Sequence, residues 1–299
     1  MSTTTLSIDR ETTAQARVAD YLELTKPRIA SLVLVTVAVA AFVADWGPPG
    51  GWLLIHTLLG TALVASSGSA LNQWLERDTD ARMARTADRP LPAGRLSGAQ
   101  VTGFGLVTIV LGTVYLATCV GLLTAALGLL TWTIYVWIYT PLKRRTSANT
   151  AIGAVAGALP VLMGWTAVGG PLDLRAWSLF LIVFLWQFPH FMAIAWIYRR
   201  EYAGAGLKML STIDPSGVRT GAQAMLGALV LVPVSLVPCL SQPSGVFFAA
   251  WALALGLGLM LFSAVFFVQK SEPAARRLLL ASLVYLPAMM GLLAIGPLA

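Results

Sequence analysis

The stretch NQWLERDTDARMARTADRPLPAGR, residues 72–95, is the densest run of charge in a chain that is otherwise mostly apolar. It begins before the preceding apolar segment has ended. Asn72, Glu76 and Asp80 follow one another at intervals of four residues, and a helix of 3.6 residues per turn stacks that spacing on one face. Asp78 falls roughly on the other side. The stretch therefore predicts three oxygen-bearing side chains along one face at the end of a membrane helix.

The residue types in this stretch favour a site for Mg²⁺ and a diphosphate. Mg²⁺ binds through a few carboxylates together with substrate phosphates, which suits Asn72, Glu76 and Asp80 as metal ligands. Arginine suits the phosphate oxygens themselves. The arginines that follow are Arg82, Arg85, Arg89 and Arg95. The alternative is a solvated loop between two spans. The start of the acidic face inside an apolar segment, where polar groups are costly, weighs against it.

The composition is that of a polytopic membrane protein. Of 299 residues, 57% are hydrophobic and 11% charged, whereas soluble domains carry about 25% charged residues. The first 20 residues are polar and of mixed charge, without a signal-peptide core. We expect residues 1–20 to be a cytoplasmic tail and residues 21–299 to be one membrane domain. Cys119 and Cys239 have no metal-binding spacing. They are expected to fill apolar space, and a bridge between them stays open.

Nine segments are long and apolar enough to span a bilayer, which needs about 20 residues. The expected spans are residues 29–44, 52–75, 99–117, 121–140, 148–168, 176–197, 221–240, 246–268 and 277–295. Within the fifth span, Gly153 and Gly157 form a GxxxG pair, which predicts close helix packing. The sequence therefore predicts an all-α membrane protein with nine spans.

The basic residues indicate how these spans are oriented. With the N-terminus in the cytoplasm, every one of the 20 lysine and arginine residues except Arg175 falls in an inside segment. Such a bias follows the positive-inside rule and predicts an outer C-terminus. It also accounts for the net charge of +7 without nucleic acid as a partner. The charged chemistry is expected at the cytoplasmic face of the membrane.

A second polar group surrounds the end of the sixth span. Gln187 and His190 lie inside the span, where a polar side chain favours a functional role over packing. For His190 we expect a place on the wall of a substrate cavity, with helix packing as the alternative. Tyr198, Glu201 and Lys208 follow at the cytoplasmic end. A carboxylate and a lysine at the same face as the first cluster suggest two half-sites closing over one diphosphate.

Four stretches resemble the UbiA superfamily of intramembrane prenyltransferases. The pattern of Asn72, Glu76 and Asp80, followed by Arg89-Pro90-Leu91, is similar to the first motif of that superfamily. Residues 24–29 (LTKPRI), 139–146 (YTPLKRRT), 186–191 (WQFPHF) and 198–210 (YRREYAGAGLKML) resemble its haem-modifying branch, the protohaem IX farnesyltransferases. The second superfamily motif is usually an aspartate pair. Here the corresponding region offers Tyr198, Glu201 and Tyr202.

The resemblance implies nine helices around a central cavity in a bacterial inner membrane. It implies transfer of farnesyl from farnesyl diphosphate to a vinyl group of haem B, with Mg²⁺ as cofactor and haem O as product. Asn72, Glu76, Asp80 and Arg89 would be catalytic. A haem A synthase or an oxidase-assembly protein would be a partner, and membrane lipid surrounds the chain. The residues expected to bind substrate are Lys26, Arg28, Lys143, Gln187, His190, Tyr198, Glu201 and Lys208.

Two other functions stay open at this point. One is a prenyltransferase of the same fold that acts on the aromatic ring of a quinone precursor, which needs neither haem affinity nor His190. The other is a transporter for a lipid or a tetrapyrrole, which would tolerate Asp80→Asn and release no diphosphate. The one-sided charge argues against the transporter, because a transport path places polar groups at the membrane midplane.

Overall fold

A computed structural model describes residues 15–238 and 245–295 of the chain. These residues form helices and connecting turns, and the described ranges contain nine helices long and apolar enough to cross a membrane. In chain order they are α1 Pro27–Ala44, α2 Gly51–Asp80, α3 Gly98–Cys119, α4 Leu122–Leu142, α5 Asn149–Ala167, α6 Leu174–Ile197, α7 Val218–Leu236, α8 Gly245–Gln269 and α9 Glu272–Ile295. The all-α prediction of nine spans is confirmed.

The nine helices form one bundle in which successive helices from α2 to α9 pack as neighbours. Helix α1 contacts α2, α5 and α9, so it joins the first and last parts of the chain. Helix α5 is the most buried span, whereas large apolar side chains on the outer helices are exposed, as with Leu106, Val110 and Val114 on α3. An apolar exterior is what a lipid environment favours, because lipid imposes no cost on exposed hydrocarbon.

Helix α2 is longer than a bilayer requires. Its 30 residues extend over about 45 Å at 1.5 Å per residue, whereas the hydrocarbon core is about 30 Å thick. The predicted end at residue 75 is therefore too early, since the helix continues to Asp80. Those last turns carry Glu76 and Asp80 out of the apolar layer on a continuous helix.

Helix α4 changes its winding before it ends. Residues Ile134–Tyr139 form a π-helical segment, and the α-helical turn Thr140–Leu142 follows. Such segments are rare and often occur at functional sites. No glycine or proline lies within residues 134–139, but Pro141 follows and lacks the N–H that an α-helix requires there. The segment ends at Tyr139, four residues before Lys143, one of the predicted substrate-binding residues.

The N-terminal segment differs from the predicted tail. Residues 15–24 are helical, and Asp20 accepts a hydrogen bond of 2.7 Å from Arg95. Arg95 also contacts Glu23 at 2.7 Å and Asp88 at 3.2 Å. Residues 15–20 thus belong to a helix held against the α2–α3 loop, and the division of the chain at residue 20 stays a prediction. Residues 1–14 lie outside the described residues.

The predicted packing role of the GxxxG pair is confirmed. A Cβ at Gly153 would come within 2.6 Å of the Tyr139 ring, and one at Gly157 would collide with the carboxamide of Gln187. Both glycines therefore allow a close approach that a larger residue would prevent. Cys119 is free and exposed, whereas Cys239 lies outside the described residues, so a bridge between the two is not tested.

Candidate active site

Each of the three predicted oxygen-bearing residues on α2 is paired with a different basic residue. Lys26 Nζ donates to Asn72 Oδ1 over 2.8 Å. Lys143 Nζ lies 2.7 Å from Glu76 Oε1, and Arg89 Nη1 donates to Asp80 Oδ2 over 2.6 Å. The three cations come from the start of α1, the end of α4 and the α2–α3 loop. The structure thus brings together six of the predicted residues in one cluster, which we call the α2 cluster.

The α2 cluster is buried although it is highly charged. Asn72 and Asp80 are each 1% exposed, and Glu76 is 9% exposed. Asp78, on the other side of the helix, is exposed. Removing one partner of a buried ion pair costs several kcal/mol, because the other charge is left without compensation. The two carboxylates, the Asn72 amide and the three basic residues must therefore be considered as one set.

Lys26 occupies a strained position at the edge of the cluster. It has a φ angle of 51° in the left-handed region and lies directly before Pro27. A residue other than glycine in that region costs about 1–3 kcal/mol. Burial, together with the nearby charge of Arg89, lowers the pKa of Lys26 to about 7. The strained backbone and the lowered pKa both indicate that placing this ammonium group in the cluster costs free energy.

The pKa of Lys143 is shifted in the opposite direction from that of Lys26. Burial alone would lower the pKa of Lys143, but the Glu76 carboxylate and the neighbouring Tyr139 and Tyr135 outweigh it, so that the pKa lies above its usual range. Its Nζ also lies 4.6 Å from the centre of the Tyr139 ring. Lys143 therefore stays charged in the cluster and is available to an anion.

Two residues at the cluster were missed by the sequence prediction. Thr140 Oγ1 accepts a hydrogen bond of 3.0 Å from Asn72 Nδ2. Tyr139 lies beneath the Lys143 ammonium group and stacks on Tyr135, with ring centroids 5.6 Å apart. Both belong to the stretch YTPLKRRT, residues 139–146, which resembles the family. The resemblance therefore includes them, whereas charge alone points only to Lys143 and its basic neighbours.

The α2–α3 loop contacts the second polar group. The guanidinium carbon of Arg85 lies 4.9 Å from the centre of the Tyr198 ring and 5.9 Å from that of Tyr202. Met83 packs in a small apolar cluster with Tyr202 and Leu207. The loop that follows the first predicted half-site therefore contacts the residues around the second. Of the four arginines expected near phosphate, only Arg89 joins the α2 cluster, since Arg82 is exposed and Arg95 binds the N-terminal helix.

The polar residues inside α6 are bound to neighbouring helices. Gln187 is 4% exposed, and its Nε2 donates to the carbonyls of Ala154 and Val183. His190 is half-buried, its Nδ1 lies 2.9 Å from Ser282 Oγ, and its ring stacks on Trp186 with centroids 4.8 Å apart. Gln187 is thus located as a packing residue between α5 and α6. His190 keeps an accessible part of its ring.

Among the described residues, the side chains of the remaining predicted residues form no hydrogen bond or ion pair with the α2 cluster. Arg28 is exposed at the start of α1, and Lys208 is exposed in the connection after α6. Lys208 is joined to the cluster only through its backbone, where its N–H donates to the Lys143 carbonyl over 2.7 Å. Glu201 is half-buried, and its Oε2 has no hydrogen-bond partner among the described residues. An enclosed carboxylate oxygen in that condition suits a cation that is not part of the protein.

Two openings lie at this end of the bundle. A space of about 240 Å³ is lined by Glu76 and Thr140 together with Arg144 and Arg145. A second space of about 560 Å³ is lined by Arg145, Lys208 and the connection after α6. Among residues 15–238 and 245–295, no group of three or more His, Cys, Asp or Glu side chains could hold a metal ion alone. A metal ion at the α2 cluster would need the Asn72 amide oxygen and substrate phosphates as further ligands.

These features define an integral membrane protein whose buried charges are concentrated at one end of a nine-helix bundle. The chain belongs to the UbiA prenyltransferase family, which it matches over residues 33–291. It is 43% identical to a protohaem IX farnesyltransferase of Solibacter usitatus, with 92% of this chain and 97% of that protein covered. It is 42% identical to a protohaem IX farnesyltransferase of Koribacter versatilis, with 90% of each covered.

Solved structures share the fold. A digeranylgeranylglyceryl phosphate synthase superposes with a TM-score of 0.80 at 13% identity, covering 94% of this chain and 99% of that one. A UbiA homologue of Archaeoglobus fulgidus bound to dimethylallyl diphosphate and Mg²⁺ superposes with a TM-score of 0.68 at 14% identity, covering 92% and 99%. The described part of the chain therefore has the same fold as these two structures.

Proposed function

We propose that this chain transfers a farnesyl group from farnesyl diphosphate to a vinyl group of haem B, giving haem O and diphosphate. The observation that carries the proposal is the α2 cluster, in which three oxygen donors are matched by three cations at one end of the bundle. Full-length similarity to protohaem IX farnesyltransferases supports the choice of donor and acceptor.

The donor set of the α2 cluster fits Mg²⁺. Two carboxylates and one amide oxygen are hard ligands, and Mg²⁺ commonly completes its shell with phosphate and water. Asn72, Glu76 and Asp80 would hold the ion, and Glu201 is proposed as a further contact because its Oε2 is enclosed without a partner. When bound, Mg²⁺ neutralises charge on the departing diphosphate.

Basic residues of the cluster would bind the diphosphate. In the structure Lys26, Lys143 and Arg89 each hold one α2 oxygen. If Asn72, Glu76 and Asp80 held Mg²⁺, these three basic groups would be able to donate to the phosphate oxygens instead. This exchange of partners would supply fixed positive charge where negative charge develops, which is a large term in catalysis.

The acceptor reaction follows from the chemistry of the allylic donor. The C1–O bond to the diphosphate breaks, the terminal vinyl carbon of haem bonds to C1, and water adds a hydroxyl group to the inner vinyl carbon with loss of a proton. Apolar helices exclude other water from the reactive carbon. We propose His190 and Tyr198 as walls of the acceptor cavity, since both are partly exposed next to aromatic rings. Arg28 and Lys208, whose side chains are exposed, are proposed for the haem propionates.

The membrane placement belongs to the same proposal. With the expected topology, all lysine and arginine residues except Arg175 fall in segments on the same side of the membrane as the α2 cluster. The positive-inside rule then assigns this side to the cytoplasm of a bacterial inner membrane. The product would pass to a haem A synthase or an oxidase-assembly protein.

A product assay tests the function. Purified protein is incubated with farnesyl diphosphate, haem B and Mg²⁺, and the haem fraction is analysed by mass spectrometry with Asp80→Ala as the control variant. A mass gain of one farnesyl and one hydroxyl group, absent with the variant, is expected. Prenylation of an aromatic ring such as 4-hydroxybenzoate, with no haem product, would show that the acceptor is a quinone precursor and not haem B. No transfer to either acceptor would overturn the proposal.

A further inference from the structure

We infer that Thr140 is a positioning residue that fixes the orientation of the Asn72 amide, so that its oxygen faces the site of the cation and the diphosphate. The inference rests on the proposed function, because it assigns a role within that site. Thr140 lies on α4 and is 3% exposed, opposite the last turns of α2.

The hydroxyl proton of Thr140 is already committed. Thr140 Oγ1 donates to the Tyr135 carbonyl over 2.8 Å, and the Thr140 backbone N–H donates to the same oxygen. That carbonyl is available five residues back because α4 is π-helical there. A hydroxyl group has one proton and two lone pairs. Towards Asn72, therefore, Thr140 Oγ1 can only accept a hydrogen bond.

An acceptor at this position decides which way the amide turns. Asn72 Nδ2 donates to Thr140 Oγ1 over 3.0 Å, which leaves Oδ1 on the other side, 2.8 Å from Lys26 Nζ. The reversed amide would direct its N–H₂ group at Lys26, whose ammonium form can only donate hydrogen bonds. It would also present no oxygen to a metal ion. The hydrogen bonds thus form a chain in which each group donates to the next, from Lys26 through Asn72 and Thr140 to the Tyr135 carbonyl.

Groups that orient a metal ligand are often nearly as important as the ligand. Loss of such a partner typically lowers metal affinity or activity about 10- to 100-fold. Thr140→Val keeps the shape of the side chain but removes the acceptor, so the buried Asn72 amide can rotate. Thr140→Ser keeps the acceptor. Thr131→Val is the matched control, since Thr131 lies on the same helix and its hydroxyl donates only to the Leu127 carbonyl.

Binding of farnesyl thiodiphosphate, whose C–S bond resists ionisation, tests the inference without turnover. Its affinity is measured by calorimetry over a series of Mg²⁺ concentrations, with haem omitted and the thermal unfolding of each variant recorded. For Thr140→Val we expect the Mg²⁺ concentration needed for half-maximal binding to rise about tenfold or more. Thr140→Ser and Thr131→Val should bind like the native protein. Unchanged Mg²⁺ dependence in Thr140→Val would overturn the inference.

A double-mutant cycle separates orientation from packing. Asn72→Asp supplies two equivalent oxygens and needs no fixed orientation, so Thr140→Val should cost less in that background than in the native one. Equal costs in both backgrounds would contradict an orienting role. Should Thr140→Val fail to fold, Thr140→Cys, whose thiol accepts weakly, is compared with Thr140→Ser for the same shift. A native protein that binds the analogue but yields no haem product would refute the proposed function and leave this inference standing.

Discussion

Two regions of this molecule bury polar side chains within or beside membrane helices, and the partners of those side chains differ between the two regions. In the α2 cluster, two ion pairs have distances of 2.6 and 2.7 Å, and Lys26 donates to the Asn72 amide oxygen over 2.8 Å. In α6, Gln187 is neutral and bound to backbone carbonyls of α5 and of its own helix. The groups of an ion pair can form new pairs with a charged ligand. An amide whose N–H groups already donate to backbone carbonyls has no N–H left for a ligand. A polar residue inside a span is thus a poor guide to a site until its partners are known.

The sharpest test of this difference is Asp80→Asn. The change keeps the shape of the side chain but removes the negative charge that pairs with Arg89. We expect farnesyl transfer to fall at least about a hundredfold, because electrostatic groups at the reacting centre contribute on that scale. Release of diphosphate with farnesyl diphosphate and haem B measures it. Asp78→Asn is the control, since Asp78 is exposed on the other side of α2, and equal rates for both variants would refute the assignment.

Lys143→Met should have the next largest effect. It leaves Glu76 buried without its partner, which costs about 3–5 kcal/mol of stability for a buried pair. It also removes a charged contact to the diphosphate, worth about 1.5–3 kcal/mol, or roughly ten- to hundredfold in rate. Thermal unfolding and transfer rates are measured together. In the double variant with Glu76→Gln we expect stability to recover while transfer stays low, and Arg77→Met, at an exposed residue of α2, should change neither.

His190→Ala sharpens the comparison within α6. If His190 forms a wall of the acceptor cavity, its removal should weaken haem binding about tenfold, the loss of one good contact, and leave farnesyl thiodiphosphate binding unchanged. Absorbance titration with haem B measures the affinity. Ser282→Ala removes the partner of His190 Nδ1 without touching the ring. A haem affinity that is lowered equally by both variants would mean that His190 serves helix packing.

Gln187→Leu should have the smallest effect on catalysis. The amide donates only to backbone carbonyls of α5 and α6, so we expect transfer to stay within about threefold of native. Loss of a buried hydrogen bond should lower stability by about 1–2 kcal/mol. Thermal unfolding in detergent and the product assay check both values. A large loss of transfer with unchanged stability would place Gln187 in the site after all.

The sequence predicted the parts of this structure that depend on local periodicity and composition. Spacing placed Asn72, Glu76 and Asp80 on one face, and hydropathy gave nine spans. The partners of those residues could not be predicted by spacing, because Lys26 and Lys143 reach α2 from distant parts of the chain. The π-helical segment before Thr140 could not be predicted either, because Pro141 indicates a disturbance of the helix but not its form. The role of Gln187 in packing depends on its fit against Gly157, which only the assembled helices reveal.

A structure of the protein with Mg²⁺ and farnesyl thiodiphosphate tests the central claim most directly. The account predicts that Lys143 and Arg89 leave Glu76 and Asp80 for phosphate oxygens, while Asn72, Glu76 and Asp80 turn to the metal ion. Intact Lys143–Glu76 and Arg89–Asp80 pairs, with the diphosphate bound elsewhere in the bundle, would contradict it.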